Sequence, residues 1–155
     1  MLNVYFSLGT NLGDKEAHLR SAIQKIEERI GKRISLSALY ATAPWGFASD
    51  HSFLNAVIGV ETNLSPRKVL TLTQQIEREL GRTAKSVDGA YVDRVIDIDL
   101  LLYGDTVLAT EELTIPHPLM TDRRFVMEPL AEIAPDLEHP LLKQTMKQLL
   151  EELNK

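Results

Sequence analysis

Apolar and polar residues alternate at the beginning of the chain, which predicts a β-strand with one buried face. Apolar side chains stand at every second position from Leu2 to Leu8. The spacing becomes helical after Asp14, a good helix N-cap, and Gly31 supplies the stop. Alternation then returns from Ile34 to Tyr40 and predicts a second strand.

The middle of the chain repeats this order of elements. The segment Phe53–Thr62 is apolar on both faces apart from Asn55, which predicts a third strand. A polar amide in such a run needs hydrogen-bond partners, and either a neighbouring loop or a planar ligand could supply them. Ser65 and Pro66 are typical of a helix start, and this second helix is expected to end at Gly81.

A fourth strand is predicted over Asp93–Tyr103, because the segment is rich in β-branched and apolar residues and ends at a glycine. Val107-Leu108 could pair back onto it as a hairpin, and Leu113–Ile115 could form another short strand. Helices are expected over 126–133 and at the carboxyl end of the chain, over 146–153.

The predicted order of the main elements is strand, helix, strand, strand, helix, strand. This β-α-β-β-α-β order is typical of ferredoxin-like α+β folds. We therefore expect an antiparallel sheet with both helices packed on one face and a C-terminal extension. The 155 residues show no linker or repeat, so we expect a single domain over 1–155. Such a fold alone indicates no function.

Composition and charge exclude several classes of protein. The net charge of −5 argues against broad binding of nucleic acid, which requires a basic surface. The chain has no cysteine, which excludes disulfides and thiolate metal sites. It has neither the pattern of a signal peptide nor an apolar stretch of the roughly 20 residues that a membrane helix needs. We therefore expect a cytoplasmic protein without membrane contacts, and a monomer.

The predicted fourth strand carries two carboxylates on one face. Side chains alternate along a strand, so Asp97 and Asp99 share a face with Val95 and Leu101, whereas the apolar positions 96, 98, 100 and 102 share the other. Oxygen ligands of this kind suit Mg²⁺, which completes its shell with water and phosphate oxygens. Such a pattern more often indicates the solvated face of an edge strand than a metal site. Here Arg94 and other basic residues nearby favour a metal and phosphate site.

Three loops add candidate residues for binding. The loop Thr42–Phe47 carries the only Trp, either as a binding wall or as a small satellite core. The polar loop from Arg82 to Asp93 is long for a compact domain, and such loops are often functional. The glycine-bearing turn Gly9–Gly13 lacks the spacing of a Walker motif, so phosphate binding there is the less favoured interpretation.

Basic and aromatic side chains follow near the end of the chain. His117 stands between two prolines, where a structural hydrogen bond is the ordinary role. Arg123 and Arg124 precede Phe125; such pairs usually form surface charge, but planar guanidinium groups also suit phosphate oxygens.

Together these motifs resemble the 6-hydroxymethyl-7,8-dihydropterin pyrophosphokinase family of folate biosynthesis. The resemblance covers nearly the whole chain, and six pieces in the right order make it highly specific. The matching pieces are Ser7–Gly13, Thr42–Gly46, Phe53–Ala56, Gln74–Glu77 with Gly81-Arg82, Arg94–Leu101, and Pro116-His117 with Arg123 and Phe125.

The resemblance implies a reaction and a set of site residues. The family transfers pyrophosphate from ATP, its co-substrate, to the hydroxymethyl group of a reduced pterin, leaving AMP, with two Mg²⁺ ions. Asp97 and Asp99 resemble the metal-bridging pair and, with Arg82 and Arg94, the catalytic set. The implied pterin pocket is Thr42, Pro44, Trp45, Phe53, Asn55 and Phe125, and the implied ATP-binding positions are Gln74, Glu77, Arg82, Lys85, Arg94, Ile98, His117 and Arg123.

The chain departs from the family pattern in the long loop. Tyr91-Val92-Asp93 stand where members often have Trp and Gly-Pro, so the closing contacts of the family's loop are not carried over. A further Arg near Ala84 and a Tyr at the position of Pro118 are also missing, so their contacts are not carried over.

Two other functions compete with this one. On fold alone, the favoured function would be a ferredoxin-like regulatory module that binds a small ligand and catalyses no reaction. Such a module has no need for paired metal carboxylates. A metal-dependent nuclease is disfavoured by the acidic charge. The expected partners are accordingly two small molecules, ATP and the reduced pterin.

Overall fold

The computed structural model describes residues 1–42, 53–81 and 96–155, with residue 42 described by its backbone alone. Five strands form its antiparallel sheet: β1 (Leu2–Thr10), β2 (Lys32–Leu36), β3 (Tyr40–Thr42), β4 (Phe53–Thr62) and β5 (Asp97–Tyr103). Their order is β2-β4-β1-β5, with β3 also paired to β4. This is the expected ferredoxin-like arrangement, and the prediction is confirmed.

Two helices cover one face of the sheet. α1 (Lys15–Arg29) begins at the predicted cap, where Asp14 Oδ1 accepts a hydrogen bond from the backbone N–H of Ala17 at 3.1 Å. α2 (Pro66–Glu79) begins at Ser65, whose Oγ accepts from the N–H of Lys68 at 3.2 Å. Both pack on the sheet through buried residues, among them Phe6, Leu19, Ile26, Ile58, Val69 and Ile76.

The C-terminal extension covers the opposite face. It comprises a short 3-10 helix at Met120–Asp122, α3 (Arg124–Ile133) and α4 (Met146–Leu153). A second core joins them to the sheet and includes Tyr5, Val57, Leu101, Met127, Leu130 and Met146. The sheet is thus the middle of three layers. No helix in the part of the chain that the structure describes is long and apolar enough to cross a membrane.

The predicted second strand is interrupted. β2 ends at Leu36 and β3 begins at Tyr40, so 37–39 break the strand expected over Ile34–Tyr40. Ile34, expected on a buried face, has 38% of its surface exposed. The reason is its position, because among the strands that the structure describes β2 pairs with β4 alone and forms one edge of the sheet.

The fourth strand is irregular in the middle. Phe6 pairs with Leu100, but the preceding residue, Tyr5, pairs with Leu102, so β5 carries one extra residue there. Leu102 consequently packs in the same core as Leu101, not with Ile98 and its neighbours as strict alternation predicts. The described strand begins at Asp97, and the expected residues 93–95 lie outside the described part.

The short strands after β5 pair with each other. β6 (Leu108–Ala109) and β7 (Thr114–Ile115) form a separate two-stranded sheet, in which Leu108 faces Ile115. The predicted hairpin of Val107-Leu108 with the fourth strand is therefore wrong, although the short strand near Leu113–Ile115 is present. Thr110 closes this hairpin by exchanging hydrogen bonds with Leu113.

Candidate active site

Asp97 and Asp99 lie at the start of β5, where this strand pairs with the end of β1. Asp97 is opposite Gly9 and Asp99 is opposite Ser7. Their neighbours Ile96 and Ile98 are buried in the core under α1 and α2. Since successive side chains of a strand point to opposite faces, the two carboxylates share the other face, as predicted.

A cleft of about 350 Å³ opens beside these carboxylates. It brings together seven of the residues expected at the nucleotide and metal site, on α2, β5 and the segment after β7. They are Gln74, Glu77, Asp97, Ile98, Asp99, His117 and Arg123, and Leu70, Thr73 and Leu119 complete the lining.

Arg123 supplies positive charge on one side of the cleft. Its Nη1 lies 3.9 Å from Asp99 Oδ2, and the two side chains are 32% and 31% exposed. The guanidinium carbon also lies 5.5 Å from the ring centroid of Phe125, within the range of a cation–π contact. Arg123 is the residue before α3, so this helix sets the position of both the guanidinium and the aromatic ring.

His117 is held as a neutral side chain. Its backbone N–H donates to the carbonyl of Leu101 at 2.9 Å, and its Nδ1 accepts from the N–H of Leu119 at 3.1 Å. Burial lowers the pKa of His117, and the charge of Arg123 lowers it further, against the opposing effect of Asp97. Because Nδ1 is an acceptor, the proton of the neutral ring is on Nε2, which is a hydrogen-bond donor.

Glu77 fixes the backbone between the two aspartates. It is buried on α2, with 7% of its surface exposed, and its Oε2 accepts from the N–H of Ile98 at 2.8 Å. The Ile98 side chain is itself buried in the core. This contact joins α2 to the strand that carries the carboxylates, so Glu77 controls where Asp97 and Asp99 stand.

The same face of the sheet continues to Asn55. Gly9 lies opposite Asp97 on one side and opposite Asn55 on the other. Strands are about 4.8 Å apart, so the Asn55 and Asp97 backbones are separated by about 10 Å. A β-carbon on Gly9 would lie 2.9 Å from Asn55 Oδ1, which means that the buried amide passes directly over the glycine.

Aromatic residues border this end of the face. Phe53 is two residues before Asn55 on β4, on the same side of the strand. Tyr40 is opposite Asn55 and Thr42 is opposite Phe53, which places the end of β3 beside them. Of the other expected pterin residues, Phe125 packs against the core under α3, whereas Pro44 and Trp45 lie outside the described residues.

Three of the expected nucleotide residues also lie outside the described part: Arg82, Lys85 and Arg94. Gly9 is expected in the turn after the first strand but lies inside β1, which ends at Thr10. Its place at the site is not predicted from the sequence, although a glycine inside a strand indicates a close approach of other atoms.

Comparisons with known proteins identify the family. Residues 5–135 match the family model described as 7,8-dihydro-6-hydroxymethylpterin-pyrophosphokinase (HPPK). A Porphyromonas gingivalis protein named 2-amino-4-hydroxy-6-hydroxymethyldihydropteridine pyrophosphokinase is 50% identical over 141 residues, covering 90% of this chain and 95% of that protein. An Aquifex aeolicus protein of the same name is 38% identical over 148 residues, covering 96% of this chain and 90% of that protein.

The fold is shared with a solved structure of much lower identity. A Plasmodium falciparum HPPK-DHPS structure superposes with a TM-score of 0.77 at 17% identity and covers 97% of this chain. The present chain spans 44% of that protein. The family match over most of the chain, together with relatives of 38–50% identity, is decisive. The chain belongs to the 7,8-dihydro-6-hydroxymethylpterin-pyrophosphokinase family.

Proposed function

We propose that one face of the sheet divides the active site into a phosphate end at Asp97 and Asp99 and a pterin end at Asn55. As a family member, the protein transfers pyrophosphate from ATP to the hydroxymethyl group of 6-hydroxymethyl-7,8-dihydropterin, a step of folate biosynthesis. The observation that supports the division is the row Asn55–Gly9–Asp97 across three strands. Its span of about 10 Å suits a flat bicyclic ring with its hydroxymethyl group toward the carboxylates.

The chemistry of Asp97 and Asp99 fits magnesium. Both offer hard oxygen atoms on one face of a rigid strand, beside a cleft with room for phosphate groups. The described residues contain no cluster of three or more His, Cys, Asp or Glu side chains placed to hold an ion. A pair of carboxylates is nevertheless enough, because Mg²⁺ in phosphoryl-transfer sites takes one or two of them and completes its shell with phosphate and water.

We assign two Mg²⁺ ions to the Asp97–Asp99 pair. When bound, the ions neutralise the developing charge on the transferred phosphates and orient the reacting oxygens. The protein then has to position the two substrates. No side chain is assigned as a nucleophile, because the substrate hydroxyl oxygen bonds to the β-phosphorus of ATP. The bond from this phosphorus to the oxygen that bridges the α- and β-phosphates breaks, AMP leaves with that oxygen, and the hydroxyl proton is released to solvent.

The residues around the cleft bind and orient ATP. His117 donates a hydrogen bond from Nε2, and Arg123 offers its planar guanidinium to phosphate oxygens. Gln74 adds an amide on the exposed side of α2, and Glu77 and Ile98 hold β5 in place. Arg82, Lys85 and Arg94 complete the phosphate contacts in this proposal, with Arg82 and Arg94 acting in the transfer step.

The pterin end recognises a flat, neutral ring. Asn55 offers both a donor and an acceptor to the ring edge, and its burial strengthens that discrimination. Phe53 and Phe125 are assigned as stacking walls, with Trp45, Pro44 and Thr42 closing the pocket. We further propose that the chain works as one domain over 1–155, as a monomer, in the cytoplasm.

The decisive experiment is AMP formation from ATP, Mg²⁺ and the reduced hydroxymethylpterin. AMP should appear in equal amount to pterin diphosphate and should stop when a chelator removes Mg²⁺. The two-carboxylate site would be wrong if Mg²⁺ titration of the Asp99→Asn variant matched the wild type. Binding of both molecules without AMP formation would instead support the regulatory module.

A further inference from the structure

A bulge separates β2 from β3 and sets the register at the pterin end. Leu36 pairs with Ile58, whereas Tyr40 pairs with Asn55, so residues 37–39 stand opposite only two residues of β4. Two hydrogen bonds from Ser37 to Val57 anchor the bulge. The backbone N–H of Ser37 donates to the carbonyl of Val57 at 3.0 Å, and the Oγ of Ser37 accepts from the N–H of Val57 at 2.9 Å. Without the extra residue, a different side chain would face Asn55.

The backbone of the bulge turns away from the sheet at Ala38. The N–H of Ala38 donates to the carboxylate of Glu132, at 3.2 Å from Oε1 and 3.1 Å from Oε2. The hydroxyl of Tyr40 donates to Glu132 Oε1 at 2.5 Å. One carboxylate of α3 thus holds both ends of the turn into β3.

This use of a carboxylate differs from the rest of the helix. Glu128 lies one turn earlier on α3 and makes an ordinary ion pair with Arg124 at 3.0 Å, within the same helix. Glu132 instead reaches across to another element. Its hydrogen bond raises the pKa of Tyr40 to about 12, together with burial of the hydroxyl and the charges of Glu132 and Glu128.

α3 and β3 meet the pterin end from two directions. Phe125 is at the beginning of α3, two turns before Glu132. Tyr40 and Thr42 of β3 are opposite Asn55 and Phe53. A contact that locks β3 to α3 therefore fixes the separation of the two sides between which the ring must fit.

We infer that Glu132 is a positioning residue for pterin binding, acting through Ala38 and Tyr40 and touching neither substrate. This inference rests on the assignment of the Asn55 end to the pterin. It predicts a selective effect, because the phosphate end is held by a different contact, from Glu77 to Ile98.

The test compares four variants by steady-state kinetics with each substrate. Glu132→Ala should raise the KM for the pterin by about three- to tenfold, the loss expected for one or two hydrogen bonds, and should leave the KM for ATP within about twofold. Glu132→Gln keeps an acceptor of the same length and should restore most of the affinity. Tyr40→Phe should give a partial effect, and Glu128→Ala should match the wild type.

A second measurement reports on the clamp without any substrate. Amide hydrogen exchange at Ala38, followed by NMR, should be faster in Glu132→Ala than in the wild type, Glu132→Gln or Glu128→Ala. Equal changes in both KM values, or an unchanged pterin KM with faster Ala38 exchange, would overturn the inference.

The Asn55→Ala variant distinguishes failure of this inference from failure of the assignment of the Asn55 end to the pterin. If Asn55→Ala leaves pterin binding unchanged, the pterin end itself is misplaced. If Asn55→Ala weakens the pterin and Glu132→Ala does not, the site stands and the role of Glu132 alone is refuted.

Discussion

Gly9 shows how much of this site depends on single positions. It lies between the two ends of the active face, opposite Asp97 and Asn55, and any side chain there would meet the Asn55 amide. The alternation along β5 predicted that Asp97 and Asp99 share a face, because that property is local. The role of Gly9 was not predictable in the same way, since it depends on which residues of distant strands become partners.

Gly9→Ala should weaken pterin binding by about two- to tenfold, because the new methyl group displaces Asn55 Oδ1 and disturbs one or two hydrogen bonds. Calorimetric titration with the pterin measures this change in affinity. Asn55→Ala should weaken binding at least as much, and the double variant should be no worse than Asn55→Ala alone. Strictly additive losses would show that Gly9 acts independently of the amide.

Asp97→Ala and Asp99→Ala should each abolish turnover while the fold remains intact, because both carboxylates hold metal in the proposed site. Removing one of two neighbouring like charges should leave thermal stability neutral or improved, because the ion pair that Asp99 loses to Arg123 is long and partly exposed. Activity assays with and without Mg²⁺, combined with thermal unfolding, check both statements. Near-normal activity of either variant would remove the basis for the metal site.

Among the elements, those with strong periodicity were predicted well and those with irregular pairing were not. α1, α2 and β4 begin at the residues that their caps and apolar runs indicate. The interruption of the second strand and the extra residue in β5 were not predicted. In β5 the extra residue falls in the run Leu100–Leu102, where three successive leucines hide the shift of the alternation. Both irregularities depend on partners elsewhere, such as the Ser37 hydroxyl and the paired strand β1.

His139 gives the segment before α4 a dependence on pH. Its ring is buried, and its Nδ1 accepts from the N–H groups of Leu141 and Leu142 at 3.2 and 3.1 Å. Burial lowers the pKa of His139 below its ordinary value of 6.5. Protonation of Nδ1 would remove the acceptor, so this contribution to stability is complete above about pH 6.5 and is lost as the pH falls through the lowered pKa.

His139→Asn keeps an acceptor near the position of Nδ1 but does not titrate. We expect its melting temperature to fall less than that of the wild type between neutral pH and about pH 5, a range that includes the ordinary histidine pKa. The difference should amount to a few degrees in thermal unfolding followed by circular dichroism. Parallel pH profiles for the two proteins would contradict this role.

At the scale of the whole molecule, both faces of the sheet carry a core, and the helices also contact one another. Glu79 of α2 binds Arg29 of α1 at 2.5 and 2.7 Å and Lys25 at 3.2 Å. The general architecture followed from the order of the elements, whereas this contact between the ends of two helices did not, because their residues are about 50 positions apart in sequence.

Glu79→Gln should lower stability modestly at neutral pH, since surface ion pairs contribute little individually. The hydrogen bonds from Arg29 and then Lys25 lower the pKa of Glu79 to about 2 from 4.5. The stabilisation is therefore present above about pH 4.5, and the variant and wild type should converge as the pH falls toward about 2. Glu16→Gln is the control, because among the described residues Glu16 pairs within α1, with Arg20. A stability difference between Glu79→Gln and the wild type that stayed constant over this pH range would exclude the ion pair as its cause.

The length of β1 also determines how the protein can be handled. Its first residue, Leu2, pairs with Thr62, whereas Gly9 pairs with Asn55 and Asp97. Leu2 and Gly9 are seven positions apart along an extended strand, a distance of about 24 Å. An affinity tag, a dye or a surface anchor joined before Leu2 would therefore begin at about this distance from the proposed substrate sites, and we expect immobilised protein to keep its binding properties.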